Sequence, residues 1–124
     1  MTPYKILYIE DYEPAAITLD FILKDIGHTP TGALTGAEAL ELAAENHYDL
    51  IMIDVKLPDM PGHVVAEKIR ALPGYQSDRT IIIGHSADID HLDNAHSDVF
   101  DFAENKDFEP HAISRNIQRW TQSL

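Results

Sequence analysis

The most informative part of this chain is residues 49–62, DLIMIDVKLPDMPG. Its four consecutive apolar residues, 50–53, are too few for an ordinary helix and lack polar alternation, which is typical of a strand buried on both faces. Asp54 follows them directly, and two prolines and a glycine come within the next eight residues, so the chain must turn there. The pattern therefore predicts that the Asp54 carboxylate lies at the carboxyl end of a central strand.

Strands and helices are predicted to alternate on both sides of this central strand. The predicted strands are residues 4–9, 28–34, 50–53, 80–84 and 99–103. A helical pattern follows each strand; the fourth such helix, over residues 88–97, is short and polar, and the last covers 109–122. This order predicts an α/β fold: a five-stranded doubly wound parallel sheet of order 2-1-3-4-5, flavodoxin-like, with five helices.

Local signals define several ends of these elements. Pro30 and Gly32 interrupt the second strand, which places it at a sheet edge. Gly27 is predicted to end the first helix, and Thr35 with Glu38 forms a capping box at the start of the second. The apolar stripe of that second helix is predicted to consist of Leu40, Ala43 and Ala44.

Composition limits the class of protein. A chain of 124 residues is long enough for one core, so a single domain over residues 1–124 is expected. The formal net charge of −12 argues against a nucleic-acid partner and against an anionic membrane surface, because both would repel it. The chain contains no cysteine, no apolar run of about 18 residues and no signal-peptide pattern, so we expect a cytoplasmic protein without disulfides.

Polar residues follow four of the predicted strands at one rim of the sheet. They are Glu10 and Asp11 after the first strand, Asp54 after the third, Ser86 after the fourth and Lys106 after the fifth. Clustered carboxylates raise one another's pKa unless a cation neutralises them, and Mg²⁺ prefers oxygen ligands of this kind. The sequence therefore predicts a magnesium site at this rim.

A carboxylate beside such a metal can attack phosphorus and form an aspartyl-phosphate. Asp54 is the candidate nucleophile, while the Ser86 hydroxyl and the Lys106 ammonium can stabilise the oxygens of the transferred group. Each residue alone has an ordinary explanation: acids favour helix N-termini, Ser86 suits a helix cap, and most lysines are solvated. Their common placement at strand ends favours the phosphoryl chemistry.

Taken in order, these motifs resemble a response-regulator receiver domain, related to the chemotaxis response regulator. The sequences of residues 60–62 and 69–73 are also similar to those of receivers in hybrid sensor kinases, although a single-domain regulator fits as well. The resemblance implies that Asp54 accepts a phosphoryl group from a phosphohistidine on a histidine kinase or histidine phosphotransfer protein, and that a downstream protein responds. It also implies the metal ligands: Asp11, Asp54, the backbone carbonyl of Lys56, and Glu10 through water.

Two positions depart from the family pattern. Asp107 stands where the family usually has a proline after the lysine, and Ala103 stands where it has a switch aromatic on the fifth strand. They motivate an alternative function, a degenerate receiver acting as a phosphorylation-independent protein-interaction module. A metal-dependent phosphatase is disfavoured because Lys56 occupies the position of its usual second aspartate. We therefore expect self-catalysed phosphotransfer and dephosphorylation rather than turnover of a separate substrate.

Overall fold

The computed structural model describes residues 3–87 and 98–124. The strands in these ranges are β1 (Lys5–Ile9), β2 (Thr29–Ala33), β3 (Leu50–Asp54), β4 (Ile81–Ser86) and β5 (Phe102–Asn105). The helices there are α1 (Glu13–Asp25), α2 (Gly36–Glu45), α3 (Gly62–Arg70) and α4 (Pro110–Trp120). All strand pairs are parallel and the order is β2-β1-β3-β4-β5, which confirms the predicted α/β topology. The short helix predicted over 88–97 lies outside the described residues.

The sheet is covered on both faces, because successive strand residues point to opposite sides. On one face, Ile6 and Tyr8 of β1 belong to a cluster that contains buried residues of α1 and α4. On the other face, Leu7 and Ile9 belong to a cluster that contains buried residues of α2 and α3. All five residues of β3 are buried, as its apolar run predicted. The rim at the carboxyl ends of the strands is therefore supported from both sides.

The ends of α1 and α2 largely follow the sequence signals. Gly27, just after α1, has a φ of 95°, a left-handed conformation that favours glycine. The Thr35 hydroxyl accepts a hydrogen bond from the Glu38 N–H at 3.1 Å, as a capping box requires. The reciprocal bond differs, because Glu38 Oε1 accepts from the Leu34 N–H at 3.3 Å.

The buried stripe of α2 was predicted partly wrongly. Ala44 is exposed, whereas Ala39 is fully buried and Leu40 and Ala43 are half-buried. The reason is the close approach at the start of the helix, where a Cβ on Gly36 would lie 2.8 Å from side-chain atoms of both Met60 and Val65. This contact turns the Gly36 and Ala39 side of the helix inward, and Ala44 outward.

The predicted fifth strand began too early. Its prediction covered 99–103, whereas β5 is Phe102–Asn105. Before β5, the Asp101 carboxylate accepts from the Ile82 N–H at 2.7 Å, while the Ile82 carbonyl accepts from the Asp101 N–H at 2.8 Å. A side chain therefore takes the backbone donor that strand pairing would use, so the ladder begins one residue later, with Ile83 opposite Phe102. The alternating pattern could not distinguish these two uses of Asp101.

The longest helix in the described ranges is α1, with 13 residues. No helix within residues 3–87 and 98–124 is both long and apolar enough to cross a membrane.

Candidate functional site

Three predicted carboxylates meet at the carboxyl ends of β1 and β3. Glu10, Asp11 and Asp54 each offer an oxygen, and these three atoms lie within 4.8 Å of one another. Glu10 has no exposed surface and Asp54 is 6% exposed, whereas Asp11 faces solvent. The adjacent parallel strands β1 and β3 explain the meeting, since Ile9 pairs with Ile53 immediately before the acids. The structure thus assembles an acidic cluster from residues far apart in sequence.

The Lys106 ammonium lies between two of these carboxylates. Its Nζ donates to Asp54 Oδ2 at 2.9 Å and to Glu10 Oε1 at 3.1 Å, and it lies 2.8 Å from Glu10 Oε2. Burial opposes the charge on Lys106, but the hydrogen bonds and attraction from Glu10 and Asp54 are stronger, so its pKa is raised. Lys106 therefore stays protonated and serves as the counter-charge of the buried acids.

Glu10 is the most desolvated acid of the cluster. Burial raises the pKa of its carboxyl and the neighbouring Asp54 raises it further, while the hydrogen bond from Lys106 lowers it. The Tyr12 N–H also donates to Glu10 Oε1, at 3.2 Å. Within residues 3–87 and 98–124, Glu10 is thus held by two donors, the Tyr12 N–H and the charged Lys106 ammonium.

The loop after β3 is closed around Asp54. The Lys56 N–H donates to Asp54 Oδ1 at 3.1 Å, Lys56 forms a bridge with Pro61, and the Gly62 N–H donates to the Val55 carbonyl at 2.9 Å. The Lys56 backbone is therefore beside Asp54, where the predicted carbonyl ligand would be needed, and the residue itself is exposed. A Cβ on Gly62 would collide with the Asp54 carbonyl, so the loop depends on glycine there.

A second contact anchors this loop to α2. The Asp59 carboxylate accepts from the N–H groups of Gly36 and Ala37, both at 2.9 Å, at the first turn of the helix. These two hydrogen bonds lower the pKa of Asp59, as expected for an anion at a helix N-terminus. The loop is therefore held both at its base and at its tip.

Ser86 is the last residue of β4, and it is 6% exposed. Its carbonyl accepts from the Lys106 N–H at 2.7 Å, so the two predicted phosphoryl contacts lie on adjacent, hydrogen-bonded strand ends. The residue directly opposite Asp54 in the strand register is His85. Ser86 thus lies one position beyond Asp54 along the rim.

His85 is the site residue whose role the sequence did not reveal. The residue is 3% exposed, its Nε2 lies 3.9 Å from Glu10 Oε2, and its ring centroid lies 5.7 Å from that of Phe108. Burial and the nearby Lys106 lower the pKa of His85 from 6.5 to about 3, so the ring is neutral at pH 7. The sequence feature that could have indicated its burial is its position directly after the predicted apolar strand, residues 80–84.

We expect acid to destabilise the protein through His85. Above pH 6.5 the ring is neutral in the folded and unfolded states. Below that pH the unfolded chain binds a proton that the folded protein does not, so stability falls by about 1.4 kcal/mol per pH unit. The loss continues toward the folded pKa of about 3. The raised pKa of Glu10 opposes part of this loss, because its folded carboxyl takes up a proton first.

Urea unfolding at pH 7, 6 and 5 would measure this effect, with a His85→Phe variant as the control. The variant should show a flatter dependence between pH 6.5 and 5. Equal slopes for the two proteins would contradict the assignment of the acid sensitivity to His85.

The donor set fits a hard divalent cation. Three carboxylates and one ammonium leave excess negative charge, and the three oxygens are already within reach of a shared ion. Oxygen donors with a carboxylate majority suit Mg²⁺ better than metals that prefer sulfur or imidazole. Glu10, Asp11 and Asp54 are therefore able to hold Mg²⁺.

The residues that depart from the expected pattern lie on and after β5. Ala103 pairs with Gly84 and is half-buried among the α2 and α3 cluster. Phe102 lies on the opposite face, and the Arg119 guanidinium of α4 lies 5.8 Å from its ring centroid. The strand register therefore places Ala103, and not Phe102, at the position where the family has an aromatic residue. Asp107 directly follows Lys106, as the sequence shows.

Sequence comparisons match residues 6–118 to the response regulator receiver domain. The aerobic respiration control sensor protein ArcB of Escherichia coli is 34% identical over 64 residues, which are 52% of this chain and 8% of ArcB. The virulence sensor protein BvgS of Bordetella pertussis is 31% identical over 86 residues, which are 67% of this chain and 7% of BvgS. The chain thus spans a small fraction of the length of these relatives.

Solved structures show the same fold. A CheY-like receiver domain from Methylobacillus flagellatus superposes with a TM-score of 0.85 at 26% identity, covering 95% of this chain and 98% of that one. The receiver domain of sensor histidine kinase PA1611 from Pseudomonas aeruginosa, with magnesium in its active site cleft, has a TM-score of 0.85 at 25% identity, with coverages of 97% and 98%. TrrA from Thermotoga maritima, in complex with Mg²⁺-BeF, has a TM-score of 0.82 at 25% identity, with coverages of 94% and 97%.

Proposed function

Because this chain belongs to the family of response regulator receiver domains, we propose that it is a phospho-accepting receiver of a two-component system or phosphorelay. Asp54 takes a phosphoryl group from a phosphohistidine, and the change alters binding to a downstream protein. The observation that carries this proposal is the surroundings of Asp54: a lysine ammonium at 2.9 Å, a backbone N–H at 3.1 Å, and two further carboxylates placed to share a cation. The proposed receiver spans residues 1–124 as one domain.

The proposed reaction is an exchange of one bond to phosphorus. An Asp54 carboxylate oxygen forms a bond to phosphorus as the bond between phosphorus and the donor histidine nitrogen breaks, and the imidazole keeps that electron pair. Lys106 and Ser86 donate hydrogen bonds to the phosphoryl oxygens, and the Lys56 N–H holds the carboxylate. Asp11, Asp54 and the Lys56 carbonyl would hold Mg²⁺, with Glu10 acting through water, and the ion would supply neutralisation of charge on the phosphoryl group. Hydrolysis of the aspartyl-phosphate resets the domain.

Incubation with Mg²⁺ and acetyl phosphate tests this proposal directly. Intact-protein mass spectrometry should show one added phosphoryl group on the wild-type chain and none on an Asp54→Asn variant. The asparagine keeps the shape of the side chain, so a loss of phosphoryl uptake in this variant would report the missing nucleophile rather than a change of fold. A wild-type chain that takes up no phosphoryl group, or a variant that takes up the same amount, would contradict the proposal.

An apolar surface beside the rim supports the proposed histidine-bearing partner. Ile17 and Phe21, one turn apart on α1, are both 68% exposed, and Leu34 at 43% exposed lies beside them. Tyr12, 63% exposed, precedes the helix directly after the acidic pair. Exposed apolar residues that cluster in this way mark interaction surfaces. We define these four residues as the α1 surface, and its place next to Asp11 suits a partner that delivers a group to Asp54.

A Phe21→Glu variant should therefore lose phosphotransfer from protein donors. Charge in an apolar contact typically removes at least about 1.4 kcal/mol of binding, so transfer from a phosphorylated histidine domain that modifies the wild type should slow by about tenfold or more. Uptake from acetyl phosphate should stay unchanged, because Phe21 does not belong to the acidic cluster of Glu10, Asp11 and Asp54. Leu124→Glu, which charges another exposed apolar residue, is the matched control. Equal slowing by both variants would contradict a docking role of the α1 surface.

The departures at Ala103 and Asp107 favour a second candidate function, a degenerate receiver that binds its partner constitutively. Phe102 is engaged with Arg119, which also forms an ion pair with Glu104, so this end of the sheet is already tied to α4. Partner affinity measured with and without Mg²⁺ and beryllofluoride separates the two functions. A phospho-switch requires the affinities to differ, whereas the constitutive module requires them to be equal.

A further inference from the structure

A buried imidazole nitrogen without a partner faces the acidic cluster. Among the described residues, His85 Nε2 forms no hydrogen bond, although its side chain is only 4% exposed. Such orphaned polar atoms are rare inside proteins, because leaving one unpaired costs about 1–3 kcal/mol. The nearest acid is Glu10, whose Oε2 lies 3.9 Å away. The separation exceeds a hydrogen bond by less than about 1 Å.

Glu10 also has a shortage of partners. It is fully buried, and the only ammonium it contacts in the described part of the chain is shared with Asp54. In the proposed function, Lys106 donates to the phosphoryl group, so its hold on Glu10 must weaken when Asp54 is modified. A buried carboxylate that loses a donor needs another.

We propose that His85 is a positioning residue for Glu10, whose Oε2 accepts a hydrogen bond from the His85 Nε2–H once metal and phosphoryl group engage the cluster. The inference rests on the proposed function, because it assumes that Glu10 serves the metal. A neutral imidazole carries one N–H, and the Nε2–H tautomer is the one this contact requires. Carboxylates that serve metals are commonly held by such outer hydrogen bonds, and removing one typically weakens metal affinity by about 10–100-fold.

The fold already aims the ring at Glu10. His85 is paired with Asp54 in the β3–β4 register, so its backbone is fixed by the same ladder that fixes the nucleophile. Phe108 packs against the ring, with centroids 5.7 Å apart. The movement that closes the gap is therefore a small rotation of Glu10 or of the ring, which needs no change of strand register.

Mg²⁺ affinity, measured by isothermal titration calorimetry on the full chain in the presence of beryllofluoride as the phosphoryl mimic, tests this role. His85→Phe removes the donor but keeps a ring beside Phe108, and it should weaken Mg²⁺ binding by about 10–100-fold. His85→Gln places an amide N–H at a similar reach and should restore affinity to within about threefold of the wild type. His28→Phe, a change at another buried histidine far along the sheet, should leave Mg²⁺ binding unchanged.

A second readout uses the wild-type chain, so it does not require any variant to fold. In the ¹³C,¹⁵N-labelled wild type with Mg²⁺ and beryllofluoride, NMR should show a slowly exchanging His85 Nε2–H proton with a coupling to the Glu10 carboxyl carbon across the hydrogen bond. Wild-type protein that binds no Mg²⁺ would contradict the proposed function itself. Wild-type protein that binds Mg²⁺, with equal affinity in His85→Phe or with the proton on Nδ1, would overturn only the role of His85.

Discussion

A Lys106→Met variant should lose about 3 kcal/mol of unfolding free energy in metal-free buffer at pH 7. The methionine keeps much of the side-chain length, but it removes the ammonium that contacts both Glu10 and Asp54. Two buried carboxylates would then face each other without a counter-charge. This loss of unfolding free energy is at the low end of the range for breaking a buried ion pair, because the Lys106 side chain is 23% exposed. Urea unfolding with and without EDTA measures it.

Magnesium should rescue this variant more than it stabilises the wild type. Without the ammonium, the cluster offers its full negative charge to the cation, so the variant should bind Mg²⁺ more tightly. Mg²⁺ at 100 times its dissociation constant for a given protein adds about 2.7 kcal/mol to the unfolding free energy of that protein. Lys24→Met is the matched control, since it breaks an exposed pair with Asp20 on α1 and should cost only about 0.5 kcal/mol. Equal losses in the two variants would contradict the role given to Lys106.

A Gly62→Ala substitution should destabilise the protein by about 3 kcal/mol and slow phosphorylation. The added Cβ would collide with the Asp54 carbonyl and lie 2.8 Å from the Val55 Cα. These are backbone atoms, which cannot rotate away as a side chain can. The strain is steric rather than conformational, because the only glycine with positive φ in the described ranges is Gly27. Relief of the collision must move the end of β3, and Asp54 with it.

Gly74→Ala is the control for this prediction. A Cβ at Gly74 would meet nothing within 4 Å, so the change should be neutral or stabilise by less than about 1 kcal/mol. Chemical unfolding and the rate of phosphoryl uptake from acetyl phosphate should be measured on both variants. A Gly62→Ala protein as stable and as reactive as Gly74→Ala would show that the loop tolerates a side chain there.

The sequence was most informative where a pattern and its physical cause are local. The apolar run before Asp54 predicts a strand buried on both faces, and β3 is buried throughout. From the parallel topology it also follows that strand ends converge, which is why Lys106 could be expected beside Glu10 despite a separation of 96 residues. Periodicity and topology together were enough to indicate which residues share the rim.

The same reasoning could not predict details set by a single tertiary contact. β5 begins at Phe102 because the Asp101 side chain takes the Ile82 N–H, and no alternation of apolar residues reveals that choice. Likewise, the sequence shows that His85 follows the predicted apolar run 80–84, but not that its side chain is buried next to Glu10. Such contacts depend on how two elements approach, which a one-dimensional pattern does not contain.

The hydrogen bonds of Asp59 link α2 mechanically to the Asp54 carboxylate, although no residue of α2 belongs to the acidic cluster. The same loop presents the Lys56 N–H to Asp54 and rests on the amides of Gly36 and Ala37. A protein that docked an acidic group on the first turn of α2 would compete with Asp59 for those amides. Inhibition of the proposed phosphorylation from that side would therefore need no access to the acidic cluster.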